Sequence, residues 1–128
     1  MPFLSAVKTF QWTFHARDKM RFYRLSEQRV RQVLHAPKRV EEGVAPKTVA
    51  MMQPASVKRV MSQESRNFQE TWTQEIWVMI EQTQNRKTKT KNIKVISAWR
   101  YPGRTKPRSG ASLGAIKEAY NEYMRKIK

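Results

Sequence analysis

The chain has 128 residues, enough for one domain with a proper core, and carries 26 Lys and Arg against 10 Asp and Glu. With no cysteine, disulfides and thiolate metal sites are excluded, and no apolar run approaches the roughly 18 residues of a membrane span. A formal charge of +16 and a pI near 10.7 repel the compact state from within, so a polyanionic partner is expected, nucleic acid first and an anionic membrane surface second.

The opening MPFLSAVKTF has no charged start followed by a long apolar run, so no secretory leader is expected and the cytoplasm is the expected location. Lys8 to Phe14 alternates, with Phe10, Trp12 and Phe14 on one side and Thr9, Gln11 and Thr13 on the other, which predicts a half-buried strand. His15 to Arg24 reads as a short helix, with Ala16, Met20 and Tyr23 sharing a side. Ser26 is placed to cap the next helix, Leu25 and Val30 occupy the staple positions, and Val30, Val33 and Leu34 form its apolar stripe. Pro37 ends that helix near Ala36. Two consecutive helices are compatible with a DNA-reading helix-turn-helix, but nothing here specifies one.

Arg39 to Glu42 and Thr48 to Gln53 predict short strands about a turn at Gly43 and Pro46, the second stopped by Pro54. Across Ala55 to Glu70 the spacing of Val57, Val60 and Met61 predicts a short helix, followed by a loop. Trp72 to Glu81 predicts a strand with Ile76, Val78 and Ile80 opposite Glu75, Trp77 and Met79. Ile93 to Tyr101 predicts another, with Ile93, Val95, Trp99 and Tyr101 on one face and Lys94, Ile96, Ala98 and Arg100 on the other. The connection is too short for a crossover helix, so these two strands should pair antiparallel. The faces bearing Ile76, Val78, Ile80, Val95 and Trp99 should hold the helices, leaving the opposite faces concave and partly open. Pro102 to Ala111 reads as a basic linker, and Ser112 as the cap of a last helix carrying Leu113, Ile116, Tyr120, Tyr123 and Ile127. Arg125, Lys126 and Lys128 suit the negative end of its dipole.

From Gln82 to Lys117 the chain contains no acidic residue. The densest part, QNRKTKTKNIK, joins the two central strands. Continued outward as strands, it would set Lys87, Lys89 and Lys91 on one edge and Thr88, Thr90 and Asn92 on the other. Such a hairpin can follow a phosphate backbone with charge while its hydroxyls add hydrogen bonds. Arg86, Lys87, Lys89, Lys91, Lys94, Arg104, Lys106 and Arg108 are therefore the candidate nucleic-acid contacts.

His15 and His35 stand far apart, and with so few acids no metal-ligand spacing emerges. No metal or cofactor is expected, and no phosphate-cradling glycine loop, nucleophile elbow or spaced carboxylate pair is present. The chemistry left to a basic surface is cleavage of RNA by its own 2′-hydroxyl. That needs a proton acceptor, a cation for the charged phosphorane and an acid for the leaving oxygen, roles open to His, Lys, Tyr and Arg. His15, at a strand–helix junction, and Arg100, on the expected open face, are the leading candidates, with Tyr101 behind them on the core side. His35 is placed to meet the last carbonyls of its helix. A bracing role for His15 at the sheet edge is equally open.

The phrase HARDKMRFYRLSEQRVRQVLHAPKRVEEG, followed by the late strand KVISAWRYP, resembles a small bacterial domain family. Its members open with His-Ala, a basic residue and Met, then an Ile/Leu-Ser helix start and a terminal Pro. The family is similar in layout to RelE- and BrnT-like ribonuclease toxins, with helices first and then an antiparallel sheet carrying basic residues. The match covers about Trp12 to Pro102, leaving the Ala55–Glu70 stretch and the last helix outside. It implies His15, Lys19, Arg24 and Arg100 as catalytic candidates, Lys19 standing where an Arg is usual. It also implies RNA, free or ribosome-bound, as the substrate and a small acidic antitoxin as a partner.

The expected fold is α+β: a twisted antiparallel sheet of about four strands, two N-terminal helices and a C-terminal helix. Residues 1–102 would form the RelE/BrnT-like domain with an insertion at 55–70, and 103–128 a basic linker and a helix packing on the same domain. Two functional readings follow. One is a metal-independent endoribonuclease toxin; the other is a non-catalytic RNA- or DNA-binding protein that uses the same hairpin. Neither involves a membrane.

Overall fold

Thr13 ends one element and begins the next. Its hydroxyl accepts from the Ala16 N–H at 3.0 Å and donates to the Val95 carbonyl at 2.8 Å. The first strand therefore stops at Trp12, and Phe14, expected to continue it, opens a helix instead with its ring 90% exposed. The computed structural model describes residues 7–64 and 66–126; residues 1–6, Ile127 and Lys128, on which the leader and helix-end expectations fell, lie outside them.

The elements run β1 (Val7–Trp12), α1 (Phe14–Tyr23), α2 (Glu27–His35), β2 (Arg39–Glu42), β3 (Thr48–Pro54), β4 (Lys58–Met61), β5 (Phe68–Thr71), β6 (Gln74–Asn85), β7 (Thr90–Pro102) and α3 (Gly110–Lys126). The fold is α+β. A five-stranded sheet is ordered β1-β7-β6-β3-β2, and β4 pairs with β5 as a separate ribbon. The sheet is mixed rather than antiparallel, because β1 runs parallel to β7, from Val7 beside Thr90 to Trp12 beside Val95. No helix among the described residues is long and apolar enough to cross a membrane.

The helix expected after Ala55 is replaced by the β4–β5 ribbon. Ser62 N–H donates to the Asn67 carbonyl at 2.9 Å, so the polar run turns back and pairs Met61 with Phe68. Val57, Val60 and Met61 remain exposed, so their helical spacing has no core to serve, and Phe68 is exposed with them. The cap of α3 also moves. Ser109 receives the N–H groups of Ser112 and Leu113 at 3.2 and 2.9 Å, placing Ser112 inside the helix. The start of α2 is as expected: Ser26 accepts from Arg29 N–H at 3.0 Å, and Leu25 and Val30 are buried as a staple pair.

Helices pack on both faces of the sheet. Ile76, Val78 and Ile80 of β6 pack with Ile93, Val95 and Ala98 of β7 against Ala16, Met20, Val30 and Val33. On the other face Trp77 and Met79 pack with Ile96 and Trp99 against Ile116 and Tyr123 of α3, so the open concave surface is absent. The two sides of β6 are those expected. The sides of β7 are not, because Met79 pairs with Ser97 and Ile80 with Val95, leaving Ile96 as a bulge. One extra residue exchanges the faces of everything that follows it. Trp99 is thus buried on the α3 side, its ring stacked on Trp77 at 6.0 Å, and Arg100 turns toward α1.

The segment expected to be a basic linker is clamped. Glu75 is fully buried and accepts from Trp72 Nε1 at 2.9 Å, Trp77 Nε1 at 3.1 Å, Thr105 N at 3.0 Å and Thr105 Oγ1 at 2.7 Å. Arg39 approaches Glu75 at 3.7 Å, pairs with buried Glu41 and donates to the Thr105 carbonyl at 2.7 Å. Ser112 adds a bond to Glu41 at 3.3 Å. A buried charge is tolerated only when its hydrogen-bonding capacity is met, and here β2, β6, the 103–109 segment and α3 meet it together.

Candidate nucleic-acid interface

β6 and β7 run on beyond the helices and close in a turn at 86–89, where Lys89 takes a left-handed conformation (φ 53°). The expected extended edge of lysines is therefore a cluster. Arg86, Lys87 and Lys89 crowd the exposed turn, and Lys91 points down the strand on the same face as Ile93. Among the described residues no carboxylate pairs with Arg86, Lys89 or Lys91. Lys94 differs, lying on the opposite face at 3.8 Å from Glu81.

The acid-free window is one stretch in sequence but two places in space. β7 separates its ends by 13 residues, about 40 Å at a strand's rise per residue. At the far end Arg104 lies over the Trp72 ring at 3.8 Å and donates to the Glu70 carbonyl at 3.2 Å. Lys106 and Arg108 are exposed on that same clamped segment, away from the hairpin.

The four catalytic candidates also divide. His15 and Lys19 meet at Glu122 of α3, at 4.0 and 3.3 Å. Arg24 ends α1 in a left-handed conformation (φ 57°) with its side chain exposed. Arg100 donates to the Tyr23 carbonyl at 2.7 Å, the Gln74 side chain at 3.1 Å and the Arg24 carbonyl at 3.4 Å. It closes the C-terminus of α1, while His15 sits in the first turn of the same helix. At about 1.5 Å per residue the two stand some 12 Å apart, so they do not share one phosphate. Arg100→Ala is expected to cost about 1.5–3 kcal/mol in denaturant unfolding, the range for hydrogen bonds to a charged group; a loss below about 0.5 kcal/mol would be the contrary result.

His15 is the unusual group. Its ring is buried, tilted against Tyr123 at 6.1 Å, and both nitrogens lack hydrogen-bond partners. It forms part of the wall of a cleft of about 480 Å³, with Gln11, Lys94, Tyr123 and Lys126. Burial pushes its pKa below the ordinary histidine value, and Lys126 and Lys19 push the same way against Glu122 and Asp18. The imidazole is therefore neutral near pH 7. Folding excludes a proton that the unfolded chain binds, so stability should rise with pH up to about 6.5 and level off above it. His15→Leu should remove that slope and raise stability by about 1–3 kcal/mol at neutral pH, since it deletes an unsatisfied buried group. Unfolding across a pH series checks this, and an unchanged slope in the variant counts against it.

Tyr123 and Lys126 carry no local sign of this cleft, because α3 reaches His15 only through the tertiary fold. Glu75 did carry one: it is an acid in an inward strand position flanked by Trp72 and Trp77. Against protein-family models, curated proteins and solved structures alike, this chain finds no match.

Proposed function

We propose that the protein binds RNA through the β6–β7 hairpin. The observation that supports this best is the cluster of Arg86, Lys89 and Lys91 with no carboxylate partner among the described residues, on a chain of formal charge +16. Cations left unneutralised at and beside an exposed turn attract phosphates and exchange counterions with them. The layout resemblance to RelE- and BrnT-like toxins favours RNA over DNA. Affinity for matched RNA and DNA strands over a salt series tests the reading. Tight, salt-steep binding with RNA preferred supports it, and no binding at low salt defeats it.

A second reading, an endoribonuclease, is favoured by the cleft that joins His15 to Lys94, Tyr123 and Lys126. A neutral imidazole can take the 2′-hydroxyl proton, and the two lysines can stabilise the phosphorane. Because both ring nitrogens are shielded, the end of α3 must give way for substrate to reach them. A toxin of this kind would act on free or ribosome-bound RNA and have a small acidic antitoxin as its partner. Cleavage by wild type, reduced about 10²–10⁴-fold in His15→Gln, would support it; no cleavage of either substrate leaves binding as the function.

A further inference from the structure

α2 is too short for the sheet it covers. Its 9 residues span about 14 Å, whereas β7 spans about 40 Å. Past His35 no helix among the described residues covers the sheet, and a groove of about 1040 Å³ opens there, lined by Leu34, Met51, Ile80 and Ile93. Its rim carries Arg31, His35 and Lys91, the amides of Gln28, Gln32 and Gln82, and no carboxylate among the described residues. Lys91 makes the groove continuous with the basic hairpin.

Phe10 and Arg31 on its wall belong to a stack that continues away from the groove. Phe10 and Trp12 lie 6.3 Å apart at 23°, and the Arg31 guanidinium sits 4.5 Å from the Phe10 centroid and 5.5 Å from that of Trp12. Arg17 lies over Trp12 from the other helix at 5.7 Å. Alternating rings and guanidinium planes are the surface on which an unstacked base continues the pile, while the same cations hold its phosphates.

We infer that this groove takes the bases of a single-stranded segment, so that the ligand is single-stranded RNA read with its bases inward and its backbone along Arg31, Lys91 and the hairpin. The inference rests on the RNA-binding reading and specifies the substrate class. A duplex offers only phosphates and sugar edges to such a surface, because its bases are stacked away. An apolar floor ringed by cations and amides suits a flat, polar-edged base with an anionic backbone. An acyl chain would leave the amides without partners.

The test compares a short polypyrimidine RNA, the same length of RNA duplex, and an abasic strand of that length, all at one salt concentration. The single strand should bind at least about tenfold more tightly than the abasic strand, a comparison that needs no protein variant. Phe10→Ala should weaken the single strand about 5- to 150-fold, the value of one base-stacking contact, and leave the duplex unchanged. Gln82→Ala, at an exposed position, should alter preference among bases. Equal affinity for all three ligands would overturn the groove while RNA binding stands. No affinity for any of them would remove the reading beneath it. Sedimentation as a dimer that RNA does not dissociate would assign the groove to a second copy of the chain and overturn the inference.

Discussion

Replacing Arg86, Lys87, Lys89 and Lys91 together by glutamine is expected to flatten the salt dependence of RNA binding by roughly 3 to 4 units of log–log slope for duplex and about 3 for single strand. Each neutralised phosphate contributes about 0.9 or 0.7 to that slope by releasing counterions. Between 50 and 200 mM salt, wild type should therefore lose about 10²-fold more duplex affinity than the variant. Lys94 is left in place because its charge is partly met by Glu81 at 3.8 Å. The substitutions fall on the exposed turn and the second residue of β7, so the melting temperature should hold and separate loss of contact from loss of fold. A slope unchanged in the variant would make the turn a solvated loop and move the interface elsewhere.

Glu75→Ala is expected to cost about 3–5 kcal/mol, the range for breaking a buried ion pair from one side. Domains of this size have about 5–15 kcal/mol in total, so the variant would lose a large share of its stability. Two indole N–H groups and the Thr105 amide lose their acceptor, and the Arg39 cation loses one of its two carboxylate neighbours. The 103–109 segment that leads into α3 then loses its hold on the sheet. The charge has a pH signature. Burial alone would raise the carboxyl pKa, but the bonds from Trp72, Thr105 and Trp77 outweigh it and hold it below the ordinary value. Its contribution is thus complete above about pH 4.5 and is lost as pH falls through the lowered folded value. Urea unfolding at neutral and acid pH measures both effects, and a loss under 1 kcal/mol at pH 7 would reduce the cluster to decoration.

The candidate site was legible where it depends on charge and not where it depends on assembly. A run of lysines without acids is visible in one dimension, and the hairpin exposes it. Pairing His15 with Arg100 required a flat sheet with one open face, and the Ile96 bulge together with α3 removes that face. What lies beside His15 instead, Tyr123 and Lys126, is more than a hundred positions away in the chain. The stack of Phe10 and Trp12 with Arg31 likewise joins an edge strand to the polar side of α2.

Local order came from the sequence by itself. Ser26, the Leu25–Val30 staple and Pro37 bound α2 because capping and the proline constraint act within a few residues. The alternation of Ile76, Val78 and Ile80 set the two sides of β6 because strand geometry has a period of two. Only the tertiary structure decided that β1 lies parallel to β7, that Ile96 bulges, that Glu75 is buried among its donors and that α2 leaves a groove bare. Each of these rests on partners that are distant in the chain, and no periodicity along one segment records which distant residue will meet it.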